Sequence, residues 1–147
     1  MSDAGFIRKQ GKKVLQRPSK PREFKTSGGF RVLVGRNNRQ NDELTFRLAR
    51  KDDIWCHASK VHGSHVIISC GGTTPLDDTV TQAAQLAAYY AETGGGQNIP
   101  VDVTAVKQVK KIPNGKPGMV IYHTYRTVIA NPYPDIVVDA LNAEAKE

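Results

Sequence analysis

The chain has 147 residues and a net charge of +7, with 39% hydrophobic and 24% charged residues, the size and make-up of one globular domain. No run approaches the roughly 20 apolar residues of a membrane helix, and two cysteines are too few for a disulfide-stapled secreted module. The polar, basic first residues lack the apolar stretch of a secretory signal, so a reducing, cytoplasmic setting without membrane attachment is expected.

Charge is unevenly spread. Residues 1–25 hold Arg8, Lys9, Lys12, Lys13, Arg17, Lys20, Arg22 and Lys25 against Asp3 and Glu23, so +6 sits here and +1 on the other 122 residues. A basic leader on a near-neutral body points to a polyanionic partner, and a merely solubilising linker is the plainer reading. Residues 1–23 contain Pro18, Pro21 and few apolar anchors, which predicts a disordered linker.

A folded domain is expected over residues 24–134. Residues 24–26 can form a short strand, Ser27-Gly28-Gly29 a turn, and residues 30–34 a strand that Gly35 ends. Asn41 or Asp42 can cap a short helix with Leu44 and Leu48 on one face, although Leu44, Phe46 and Leu48 fit strand alternation equally. Residues 54–58 and 65–70 read as strands. Thr74, with Pro75 at the first helical position, opens the clearest helix. It is Ala-rich and runs to about Thr93, where Gly94-Gly95-Gly96 stop it. Residues 101–111 and 119–130 read as two long strands, with the turn pairs Asn114-Gly115 and Pro117-Gly118 between them and Pro132 and Pro134 after them. Residues 135–147 form a tail with room for a short helix. The sum is an α+β fold, a mostly antiparallel sheet of about six strands with one long Ala-rich helix packed on a face and one or two short helices.

Cys56, His57, His62, His65 and Cys70 fall within 15 residues and invite a zinc reading. Neighbours on a strand point to opposite faces, so Cys56 and His57 diverge, and both cysteines share a face with apolar residues. The cysteines read as small core residues, Trp55, the only tryptophan, is expected to pack in the core, and no metal is expected. Ser64, His57 and Asp53 supply the residue types of a hydrolase triad without a nucleophile elbow. Gly115-Lys116-Pro117-Gly118 matches the GxxG of a nucleic-acid-clamping KH loop, but it joins predicted strands, where a hairpin turn is the plain reading.

Lys107, Lys110, Lys111, Lys116 and Arg126 lie in residues 103–134 with no acid among them, interleaved with Tyr122, His123 and Tyr125. Cations with aromatics suit RNA, through phosphate pairing and base stacking; a sheet edge charged against aggregation is the alternative. Arg36-Asn37-Asn38-Arg39-Gln40-Asn41-Asp42 is an unbroken polar run. Its guanidinium and amide groups can read phosphates and base edges, or they can cap and shape the backbone.

These residues, in this order, resemble the NFACT-R domain, the C-terminal part of the NFACT family. The matching signatures are Val34-Gly35 with the polar run 36–42, Asp53-Ile54-Trp55-Cys56-His57, Gly63-Ser64-His65-Val66, Ala87-Ala88-Tyr89-Tyr90, and Val109-Lys110-Lys111 followed by Lys116-Pro117-Gly118-Met119-Val120 and Tyr122. They cover about residues 24–132. His62 departs from the proline that many relatives place before Gly-Ser-His.

The resemblance implies a non-enzymatic RNA-binding module without a cofactor. Full-length members include the bacterial ribosome quality-control factor once called a fibronectin-binding protein. They recognise obstructed large ribosomal subunits, recruit tRNA (alanyl-tRNA in bacteria) and promote template-free C-terminal tailing of the stalled chain. The implied partners are tRNA, large-subunit rRNA and the rest of the full-length NFACT protein, of which this chain would be an excised, monomeric C-terminal domain. The RNA contacts expected from the residues are Arg36, Asn37, Asn38, Arg39 and Gln40 as one surface, His57, Ser64 and His65 beside it, and Lys107, Lys110, Lys111 and Lys116 on phosphates. Two alternatives are an RNA-modifying enzyme using His57, Ser64 and His65, and a protein-adhesion module.

Overall fold

The computed structural model describes residues 20–92 and 96–132. The expected disorder of residues 1–19 and the tail helix lie outside the described residues. The long helix does not reach Thr93 and its glycines: it ends at Tyr89, where the chain leaves the helix so that Ala91 can pair with Gly63.

Six strands form one wholly antiparallel sheet: β1 (Arg22–Lys25), β2 (Arg31–Val34), β3 (Ile54–Ala58), β4 (Val66–Ser69), β5 (Ile99–Ala105) and β8 (Arg126–Ala130), in the spatial order β1-β2-β4-β3-β5-β8. A separate ribbon pairs β6 (Lys110–Lys111) with β7 (Val120–Ile121). The α+β expectation with an antiparallel sheet of about six strands holds.

Strand alternation sends side chains to two faces, and each face has its own core. On one face Val32, Val34, Cys56, Val66, Ile68, Val101 and Val103 pack under α2 (Asp77–Tyr89), whose Val80, Ala83, Ala84, Ala87 and Ala88 are buried. On the other, Leu33, Ile67 and Trp55 lie in register across β2, β4 and β3. They pack with Leu44, Val106 and Val109. Both cysteines and Trp55 are core residues, as expected.

Several local readings need correction. The folded chain is already paired at Arg22, two residues ahead of the expected boundary. Helix α2 begins at Asp77, beyond Thr74 and Pro75, and Leu76 at its N-cap gives no side-chain bond. Asp77 and Asp78 supply the favourable negative charge in its first turn.

Helix α1 (Asn38–Glu43) begins earlier than Asn41 or Asp42 would place it, because Asn37 is the cap: its side chain accepts from the Gln40 N–H at 2.9 Å. It widens into a π turn (Leu44–Leu48), with the Ala49 N–H bonded to the Leu44 carbonyl at 2.8 Å. That wider turn buries Leu44 and Thr45 and leaves Leu48 59% exposed, so Leu44 and Leu48 do not share a face.

Each predicted long strand is also broken. Val106 and Val109, three apart, fold through a 3-10 turn (Val106–Gln108) to fill the Trp55 core. The chain then leaves the sheet as the β6–β7 ribbon and returns as β8.

Candidate nucleic-acid interface

The polar run divides into residues that hold the fold and residues that face solvent. A Cβ on Gly35 would lie 2.0 Å from Asn41 Oδ1, so only glycine fits there. Asn41 is buried and ties two segments: its Oδ1 accepts from the His65 N–H at 3.0 Å and its Nδ2 donates to the Gly63 carbonyl at 3.4 Å. Gln40 is buried, and its Oε1 accepts from the Arg36 N–H at 2.8 Å. Asp42 accepts from Lys111 Nζ at 2.8 Å and from the Gly118 N–H at 3.4 Å. Arg36, Asn38 and Arg39 are exposed. Arg36 Nε donates to the Lys20 carbonyl at 2.7 Å.

His65 is 1% exposed and bonded through both ring nitrogens. Nε2 lies 3.1 Å from the Gly118 carbonyl and Nδ1 2.8 Å from Thr45 Oγ1. A carbonyl only accepts, so Nε2 carries the hydrogen and Nδ1 accepts from the threonine hydroxyl. Burial, with the neighbouring His57 adding to it, lowers the imidazole pKa to about 3. Neutral His65 therefore pins strand β4, the π turn and the ribbon turn together.

The triad residues are committed elsewhere. The Ser64 hydroxyl donates to the Gly35 carbonyl at 2.7 Å. The Asp53 carboxylate accepts from the backbone N–H groups of Arg50 (2.9 Å) and Cys70 (3.0 Å). Burial pushes the Cys56 thiol up to about 12, far from a reactive thiolate. Among the described residues no group of three His, Cys, Asp or Glu side chains is placed to hold a metal ion.

On the Trp55 face the sheet floors a cleft of about 780 Å3. Residues 59–63 of the β3–β4 connection form one wall, Asn38 and Asn41 of α1 a second, and residues 116–120 of the ribbon turn a third. A Cβ on Gly118 (φ +86°) would approach the Asn38 carbonyl to 3.2 Å, so the third wall sits tight on the second.

The floor is a cross-strand row. His57 lies opposite Asp102, and Asp102 opposite Thr127. Asp102 is 4% exposed and accepts from the Tyr122 hydroxyl at 2.5 Å and the Thr127 hydroxyl at 3.1 Å. Burial, then the Asp102 carboxylate, raises the Tyr122 pKa, so the phenol stays protonated at neutral pH. Burial lowers the His57 pKa against the pull of Asp102, and the ring stacks on Trp55 at 5.6 Å. Trp55 and Tyr122 meet at 4.8 Å, and Tyr122 meets Tyr125 edge-on at 5.1 Å. Tyr125 remains 49% exposed beside this row.

Of the expected RNA-contact residues, the fold brings Asn38, His57, His65 and Lys116 to the cleft. Arg39 is exposed on α1 and is not among the cleft-lining residues, and Lys107 and Lys110 are exposed near the ribbon. Lys111 is held by Asp42 and lies 5.9 Å from the Phe46 ring centre. Gln40 and His65 are interior residues whose bonds position the walls. Lys60 and Asp102 also line the cleft and are not among the expected contacts. A carboxylate inside the valine-rich stretch 101–103 was the available sign for Asp102. Nothing in the sequence marks Lys60, which the turn holds at φ +60°.

An α+β domain with a cation-rimmed, aromatic-floored cleft is the build of a nucleic-acid-binding module. The profile of the NFACT protein RNA-binding domain matches residues 20–124, and the chain belongs to that family. It is 42% identical over 129 residues to the Rqc2 homolog RqcH of Streptococcus pneumoniae, covering 87% of this chain and 23% of that protein. It is equally identical, over 126 residues, to the Rqc2 homolog RqcH of Bacillus subtilis, covering 84% and 22%. The chain thus spans less than a quarter of the length of these relatives. Among solved structures, the C-terminal part of the fibronectin/fibrinogen-binding protein from Streptococcus suis is similar at a TM-score of 0.80 and 37% identity, over 86% of this chain and 51% of that one.

Proposed function

We propose that the chain is the RNA-contacting module of a ribosome quality-control factor. It binds tRNA and large-subunit rRNA, and within the full-length protein it supports alanyl-tRNA recruitment and C-terminal tailing of stalled chains. It acts by binding and not by catalysis. The observation that carries this reading is an aromatic-floored cleft with a cation on two of its walls, Lys60 on the β3–β4 connection and Lys116 on the ribbon turn, and with Arg39, Lys107 and Lys110 exposed on α1, after β5 and on the ribbon. Phosphates pair with such cations and bases stack on such rings. Asn38 and His57 face the same space, whereas Gln40 and His65 support it from within.

Titration with tRNA and with large ribosomal subunits across a salt series tests the reading. Lys110→Ala lowers the slope of log K against log salt by about 0.7 to 0.9, the value of one phosphate contact. Lys111→Ala lowers it less, because Asp42 already holds that ammonium. An unchanged affinity and slope in Lys110→Ala, or a larger loss in Lys111→Ala, removes the ribbon from the interface.

A further inference from the structure

Polyanion binding needs only a basic surface, and this cleft is more than that. Its volume of about 780 Å3 falls in the range of roughly 300–1,000 Å3 that holds organic ligands. Its charge is layered. Lys60 and Lys116 are exposed side chains at the walls, while the acid Asp102 lies buried at the floor. A phosphate is drawn to the first pair and repelled by the last. A nucleotide satisfies both, because its phosphate and its base are at opposite ends.

Asp102 adds a second constraint. A carboxylate offers about four acceptor positions. Tyr122 and Thr127 each fill one, through their hydroxyls. The positions left can only accept, so they match the N–H edge of a base. Guanine carries adjacent N–H groups on its Watson–Crick edge, and uracil carries a single N–H there. Tyr125 offers an open ring face or edge beside the floor. A duplex keeps its bases stacked inside and its phosphates outside, so it cannot enter in this way.

We propose that the cleft takes one unstacked nucleotide of single-stranded RNA, base inward with its N–H edge on Asp102 and the base against Tyr125, and phosphates outward on Lys60 and Lys116. This rests on the RNA-binding reading above and narrows it to a single-strand site with a preference for guanine.

The test uses the 147-residue chain and three labelled probes at one salt concentration: a uridine pentamer, the same pentamer with a central guanosine, and a blunt RNA duplex. The guanosine pentamer binds at least tenfold tighter than the other two. Tyr125→Ala weakens the pentamers about 5- to 150-fold, the span of one lost stacking contact, and leaves the duplex unchanged. Asp102→Asn abolishes the difference between the two pentamers. Tyr125 is exposed, so its variant keeps the test decisive if Asp102→Asn does not fold, with thermal melting as the check. Equal affinity for the guanosine pentamer and the duplex, or an unaffected Tyr125→Ala, overturns the cleft site and leaves tRNA binding standing. Equal affinity for the two pentamers overturns the contact with Asp102. Failure to bind tRNA or any probe overturns both this site and the function on which it rests.

Discussion

His65 shows how a residue type that suggests chemistry can serve the fold. Its ring joins the Thr45 hydroxyl to the Gly118 carbonyl and must stay neutral to accept from the first and donate to the second. The consequence is a pH dependence of stability with a fixed sign. Unfolded, the imidazole takes a proton near its ordinary pKa of 6.5; folded, not until about 3. The unfolded chain thus binds more protons between these values, so stability is complete above pH 6.5 and falls as the pH drops toward 3. The loss is on the order of 2 kcal/mol by pH 5, and His57, shifted in the same direction, adds to it. Urea unfolding at pH 7.5 and pH 5 measures it. In His65→Gln the difference shrinks, and an undiminished difference in that variant contradicts this account. The sequence could not reveal this role, because partners 20 and 53 residues away make it. Cys56 and Cys70 were readable because strand alternation alone assigns them to an apolar face.

The elements most completely read were those with a simple period. The strand at residues 54–58 was placed at its observed bounds, and the alanines of α2 were placed in a helix. The ribbon was not readable in this way. Residues 101–111 alternate like one strand, yet Val106 and Val109 turn under Trp55, since filling that core outweighs continuing the sheet. The turn Gly115-Lys116-Pro117-Gly118 is a hairpin connection that carries a wall of the cleft. Gly118 makes that wall possible, with φ at +86° and its backbone against Asn38. Gly118→Ala adds strain of about 1–2 kcal/mol for the left-handed conformation and crowds Asn38. The expected result is a lower urea midpoint together with weaker single-strand binding, as the ribbon moves off α1. A variant with unchanged stability and unchanged binding shows that the ribbon does not depend on this contact.

At the scale of the molecule, one sheet separates two tasks. Its α2 face is a hydrophobic core closed by the alanines of α2, and its Trp55 face carries a second core that continues into the cleft. No helix among the described residues is long and apolar enough to cross a membrane. The charge pattern of the sequence pointed to a polyanion but placed most of the excess in the leader. The fold adds Lys60 and Lys116, far apart in sequence, to the walls of one cleft.

The central claim is that RNA binds the folded domain and not only the leader. The most direct measurement is tRNA binding across a salt series by the full chain and by a chain starting at residue 20, which keeps β1 and loses Arg8, Lys9, Lys12, Lys13 and Arg17. The shortened chain is expected to bind more weakly but to keep a slope of at least about 1.5, equivalent to two phosphate contacts, and to lose it when Lys110 and Lys116 are both replaced by alanine. Binding that disappears with residues 1–19 would contradict the account and leave the domain a scaffold for contacts made elsewhere.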